Sequence, residues 1–233
     1  WHYLCSISRE SKEGDPEEQS MSTEETEGVI KFQLEHLEQQ LDSHAVEEID
    51  AWRSAFKQLG IIGQDEGKYD GYGFGNLSQR TDSGFLISGT QTGYIENTRL
   101  IDYAEVTSWN PSVNFVSSRG LVKPSSESLS HAVIYESKAR VGGVFHVHSP
   151  EIWQNARELS VPVTDPNIAY GTREMARAVE EIVTKNELPA VLSMGGHEDG
   201  VIAYGANLDE TGLILMQTLI LARKLTLQLD ADK

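Results

Sequence analysis

The stretch VGGVFHVHS, residues 141–149, constrains the fold more than any other part of the chain. It reads as a short apolar strand ending in His146-Val147-His148. Successive side chains on a strand point to opposite faces, so the two histidines share a face, separated by two strand rises of roughly 3.3 Å each. Rings so placed can grip one ion, since neutral imidazole is the commonest ligand for zinc and similar divalent metals. On its own the pair more often reads as polar residues on an exposed face, or hydrogen-bonded at a strand end.

The segments around this strand set the rest of the pattern. Ile30, Leu34, Leu37 and Leu41, followed by Ala45, Ile49, Trp52, Phe56 and Leu59, predict two amphipathic helices, with Asp42-Ser43 as a cap between them and Gly60 as the stop. The texture from 71 to 116 is β-like, in GYGFGNLSQR (71–80), GFLISG (84–89) and the stretch Tyr103 to Val116, broken by a turn at Asn110-Pro111. A helix is predicted after Pro124 and another over residues 171–186. AVLSMGGHEDGVIAYG (190–205) reads as strand, loop and strand, and a helix closes the chain. Hairpin-paired strands with helices between groups of them predict an α/β sandwich around a mostly antiparallel sheet.

At 233 residues the chain can form one sizeable α/β domain or two small ones. It reads as one domain over 28–233 preceded by an acidic leader over 1–27, whose polar composition predicts flexibility. Met21 is an alternative natural start within that leader. A net charge of -17 argues against nucleic acid and anionic membrane as partners, both of which need clustered positive charge. Cys5 is the single cysteine, which excludes an intrachain disulfide and a multi-thiolate zinc site. No apolar run reaches the roughly 18 residues of a spanning helix, and the start lacks a signal-peptide layout, so a soluble cytoplasmic protein is expected.

Other residues bear on the histidine pair. His197 sits in the glycine-rich turn SMGGHEDG between two apolar strands, where a side chain can be presented at a sheet end or simply face solvent. Glu127 follows KPSS at a helix start; it can ligate a metal, act as an acid or base, or favour the helix dipole. His131, one turn later, reads as a packed or hydrogen-bonded helix residue. GFGNLS (73–78), GTQTG (89–93) and PSSE (124–127) combine small residues with hydroxyl or amide side chains. The last opens a helix whose free N–H groups favour an anion, so the three can cradle a phosphate; each alone also fits a turn or a cap.

In order along the chain, G-N-L-S at 75–78, T-G at 92–93, P-S-S-E at 124–127, H-V-H-S at 146–149 and a late histidine at 197 resemble the class II aldolase/adducin superfamily. The resemblance runs from roughly Ala45 to the C-terminus. It implies an α/β/α sandwich and a homotetramer with active sites at subunit interfaces. By the same resemblance His146, His148 and His197 look like metal ligands, most simply for zinc, and Glu127 like the residue that approaches the metal and moves protons. Asn76, Thr92, Gly93, Ser125 and Ser126 look like the phosphate cradle. The implied activity is that of a metal-dependent lyase acting on a small phosphorylated sugar or ketose through an enediolate, or a related epimerase or dehydratase. The alternative is a non-enzymatic adducin-like assembly or binding domain.

Two departures stand out. The segment between the H-x-H pair and the last histidine is short, and its one tyrosine, Tyr170, fits a helix-opening turn better than the family's proton donor. His197 is followed by Glu198 and Asp199 rather than directly by glycine, which alters the charge beside the site.

Overall fold

The computed structural model describes residues 28–231, so the leader expected over 1–27 lies outside the described residues. The chain runs through β1 (Gln33–Glu38), α1 (Glu47–Gln58), β2 (Gly63–Gln64), β3 (Gly73–Phe74), β4 (Asn76–Arg80) and β5 (Phe85–Ser88). It continues through β6 (Tyr103–Asn110), β7 (Phe115–Gly120), α2 (Ser128–Ser137), β8 (Gly143–His148) and α3 (Pro150–Gln154). It closes with α4 (Arg173–Lys185), β9 (Ala190–Ser193), β10 (Gly200–Gly205) and α5 (Leu208–Ala231).

An eight-stranded sheet in the order β1-β7-β6-β5-β4-β8-β10-β9 organises the molecule, while β2 and β3 form a separate two-stranded ribbon. β1 joins the sheet parallel to β7, whereas the other pairings are antiparallel. The sheet is therefore mixed, which corrects the expectation of a mostly antiparallel one. The cause lies in β1 itself, a segment expected to be helical. Along it Phe32, Leu34 and His36 turn inward or are half-buried, while Lys31, Gln33 and Glu35 are exposed. This period of two competes with the helical spacing of Ile30, Leu34, Leu37 and Leu41, and the open edge of β7 decides between them by pairing with the strand.

The second predicted helix forms as α1 and buries Ile49, Arg53 and Phe56. Asp42-Ser43 does not cap it; Val46 stands at that position and makes no side-chain capping bond. Gly60, at φ +71°, ends the helix as expected. Its N–H donates to Lys57 O at 3.0 Å and that of Ile61 to Phe56 O at 3.1 Å, the paired closure that a left-handed residue allows.

Alternation along the central strands separates two apolar clusters. Phe85, Ile87, Val144 and Ile202 belong to a cluster shared with residues of α2 and α4. Leu77, Leu86, Phe145, Val147 and Val201 belong to a second cluster with residues of α1, α3 and α5. Fully burying each such side chain is worth about 1.5–3 kcal/mol. His146 and His148 stand on the same face as Val144, beside α2.

α5 corrects a second expectation. Leu208–Leu229 reaches a mean hydropathy of 1.2, enough by length and composition alone to cross a membrane. Gln217 and Thr218 interrupt the run without lowering its mean sufficiently. In the fold Leu215, Leu219 and Ala222 are buried, whereas Leu213, Ile220, Leu221 and Leu227 are exposed.

Candidate metal and anion site

β8 carries its histidines into the interior instead of onto an open face. It lies between β4 and β10, and all six of its residues are buried. His197 arrives from the turn joining β9 to β10, held by its N–H to Met194 O at 3.1 Å. The ligand-capable atoms of His146, His148 and His197 lie within 4.8 Å of one another. Ring centroids are 5.1 Å apart for His146 and His148, 5.3 Å for His146 and His197, and 4.9 Å for His148 and His197.

The electrostatics favour ligation. Burial, aided by the charge each ring would feel from its neighbours, holds His146 and His197 well below the usual histidine range. Lys31 adds to the effect on His197. Burial pushes His148 down to about 3, opposed in part by Asp199. All three imidazoles are thus neutral near pH 7, the form that binds a cation. His146 Nδ1 lies 3.2 Å from the Val201 carbonyl oxygen, which can only accept, so the ring proton is on Nδ1. Its buried Nε2 has no hydrogen-bond partner among the described residues. A lone pair held there is costly unless something occupies it, and this donor set can hold a divalent metal.

The five residues expected at a cradle come together in the fold. Asn76, Thr92, Gly93, Ser125 and Ser126 line one pocket together with Gly75 and Gln91. Asn76 opens β4 in register with His146, which ties this pocket to the histidine cluster, and its buried Oδ1 makes no hydrogen bond among the described residues. Thr92 is anchored by its hydroxyl donating to Gly89 O at 2.8 Å. At Gly93 a Cβ would run into the Gly63 carbonyl, so only glycine allows the two backbones to lie this close. The buried guanidinium of Arg53 supports the loop from behind, donating to Thr92 O at 2.8 Å and Ile95 O at 2.9 Å. Sequence reasoning missed Arg53, which follows Trp52 of the apolar stripe and carries no motif of its own.

Glu127 stands at the N-cap of α2, buried, and its carboxylate makes no capping bond. Its place at the helix start still suits the helix dipole. One turn on, His131 is fully buried with Nδ1 2.7 Å from Ser78 Oγ, which also lies 2.8 Å from Tyr135 Oη. This agrees with its reading as a packed, hydrogen-bonded residue.

Two tyrosines flank the cluster: Tyr170, which the sequence placed in a helix-opening turn and not in the site, and Tyr69, which it did not single out. The Tyr170 ring lies 4.7 Å from that of His197 and is fully buried. It does precede a helix, capped by Thr172, as the sequence suggested, and it is also a wall of the site. Its hydroxyl accepts from the Val29 N–H at 3.2 Å, and Lys31 Nζ sits 3.6 Å over its ring. The Tyr69 ring meets His148 edge-on at 4.5 Å. These contacts join segments far apart in the chain and leave no local pattern, apart from the tyrosines themselves in glycine-rich turns.

Residues 65–220 match the sequence profile of the family described as Class II Aldolase and Adducin N-terminal domain. No curated protein sequence is significantly similar to the chain. Solved structures share its fold. L-fuculose-1-phosphate aldolase from Thermus thermophilus is 22% identical with a TM-score of 0.58, covering 79% of this chain and 93% of its own. A sugar-phosphate aldolase from Thermotoga maritima is 13% identical with a TM-score of 0.61, covering 81% and 96%. The N-terminal class II aldolase domain of a conserved protein from Thermoplasma acidophilum is 13% identical with a TM-score of 0.54, covering 82% and 97%.

Proposed function

The chain belongs to the class II aldolase and adducin N-terminal domain family, and from that premise we propose that it is a metal-dependent, aldolase-like lyase acting on a small phosphorylated sugar. The observation that carries the reading is the buried Nε2 of His146, without a hydrogen-bond partner among the described residues, within a cluster of three neutral imidazoles. Zinc is the ion proposed, since histidine donors without cysteine suit it. When bound, a divalent cation polarises a ketose carbonyl and offsets the charge of an enediolate.

The chain's own residues supply the rest. His146, His148 and His197 hold the ion. Asn76, Thr92, Gly93, Ser125 and Ser126 bind the phosphate, and that remote binding fixes the reacting carbons against the site. Glu127 takes and returns the proton on the substrate side, a role its burial favours. The rings of Tyr69 and Tyr170 keep water from two sides of the histidines. We further infer a three-layer α/β/α arrangement, supported by apolar clusters on both sheet faces. A homotetramer is inferred with it, supported by the exposed apolar side chains of α5.

The test is a screen of phosphorylated ketoses, and of aldehydes paired with dihydroxyacetone phosphate, against the metal-loaded protein with Glu127→Gln beside it. We expect turnover by the wild type and a loss of roughly 10²–10⁴-fold in the variant. A variant as active as the wild type rules out Glu127 as the proton carrier. A wild type that binds no stoichiometric metal removes the enzyme reading.

A further inference from the structure

The residues after His197 depart from the family resemblance, and the structure gives one of them a partner. Glu198 is exposed, whereas Asp199 is half-buried and folded back toward β8. Its main-chain oxygen accepts the N–H of Ser149 at 2.8 Å, the residue directly after His148. Its carboxylate Oδ2 accepts the phenol O–H of Tyr69, also at 2.8 Å. Tyr69 in turn sets its ring edge-on against the His148 imidazole at an interplanar angle of 75°. Phe74 lies against the same imidazole at 5.5 Å.

Both ends of this bridge are held in the left-handed region of backbone space, where non-glycine residues are uncommon. Asp199 has φ +60°, Tyr69 has φ +48° and Asp70 has φ +55°. Such conformations persist only where surrounding contacts over-determine them. Here the hydrogen bond joins two such loops, separated by 130 residues in sequence, across one face of His148.

We propose that Tyr69 and Asp199 form a clasp that fixes the orientation of the His148 ring and so sets the geometry and affinity of the metal centre. The inference rests on the proposed metal site. A metal-bound histidine works only in one orientation, and the groups around it usually supply that constraint by hydrogen bonding. At His148 a packed ring tethered through its hydroxyl adds to that constraint. Tyr69 and Asp199 are thus positioning residues, and the acidic pair after His197 resolves into one solvated glutamate and one structural acceptor.

The experiment uses cobalt(II) as probe on the full chain, reading its visible absorption and its affinity by chelator competition. Tyr69→Phe removes one oxygen and keeps the ring; we expect affinity to fall roughly 10- to 100-fold and the absorption bands to shift. Asp199→Asn keeps an acceptor oxygen and should fall less. The double variant should be no weaker than Tyr69→Phe alone, because both act through one bond. Tyr72→Phe, on the same loop with a side chain open to solvent, should match the wild type. Tyr69→Phe with wild-type affinity and spectrum overturns the clasp while leaving the metal reading intact, and so does an equal loss in Tyr72→Phe. A wild-type chain that binds no cobalt removes the metal reading and the clasp together.

Discussion

The Nδ1–H of His146 donates to the main-chain oxygen of Val201 across 3.2 Å, and this one bond aims the opposite nitrogen into the cluster it shares with His148 and His197. Val201 is also the residue that pairs with Val147, so the sheet ladder and the ring orientation are set by the same strand.

His146→Ala should therefore abolish stoichiometric metal binding without unfolding the chain. The ring is buried beside two other neutral imidazoles, and its removal leaves two ligands where three converge. Elemental analysis of protein prepared without chelator checks this, with about one divalent ion per chain expected for the wild type and far less for the variant.

Stability of the metal-free chain should fall in acid. His148 titrates near 6.5 when unfolded and at about 3 when folded, because burial penalises its charged form. His131, His146 and His197 are shifted in the same direction by burial. Between those limits the unfolded state binds more protons than the folded one, so stability rises with pH. The contribution is complete above about pH 6.5 and is lost progressively as pH falls toward 3. Urea midpoints measured across that range should decline steadily; a flat profile in the metal-free chain contradicts the buried, neutral cluster.

Strong local signals carried most of the fold and part of the site into the sequence. The strand over 143–148, the hairpin around His197 and the helix after Pro124 were legible because apolar period and turn chemistry agree there. β1 was not, since its residues satisfy two periods and only the edge of β7 distinguishes them. The histidines were visible as residue types in order, but their convergence depends on β8 and β10 being neighbours. Arg53 and Tyr69 were invisible as site residues, and Tyr170 was seen but set aside as a turn residue, because what defines each is a contact between distant parts of the chain, such as Tyr170 on His197.

Arg53 should matter to the proposed phosphate binding although it lies behind the pocket. Arg53 is 1% exposed, and its guanidinium donates to the carbonyl of Thr92 at 2.8 Å. Arg53→Met keeps the length of the side chain and leaves that carbonyl without its donor, at a cost of about 1–3 kcal/mol. The loop carrying Thr92 and Gly93 then loses its support from α1. We expect a lower melting temperature and a several-fold rise in KM for a phosphorylated substrate, with kcat less affected. Equal affinity of variant and wild type for inorganic phosphate, measured by calorimetry, refutes this link.

Assembly offers a last prediction. Along α5 Leu213, Ile220 and Leu227 recur every seven residues and are 55%, 50% and 70% exposed. Side chains at that spacing share one face of a helix, and we propose that this row is the surface through which the subunits meet. If it lies within the proposed tetramer, Ile220→Glu with Leu227→Glu places charges in an apolar contact and should dissociate it. The folded subunit should be little disturbed, since exposed positions away from the core change stability by about 0.5 kcal/mol or less. Light scattering should give four times the mass of the chain for the wild type and a smaller species for the double variant at equal concentration. An unchanged mass removes α5 from the interface.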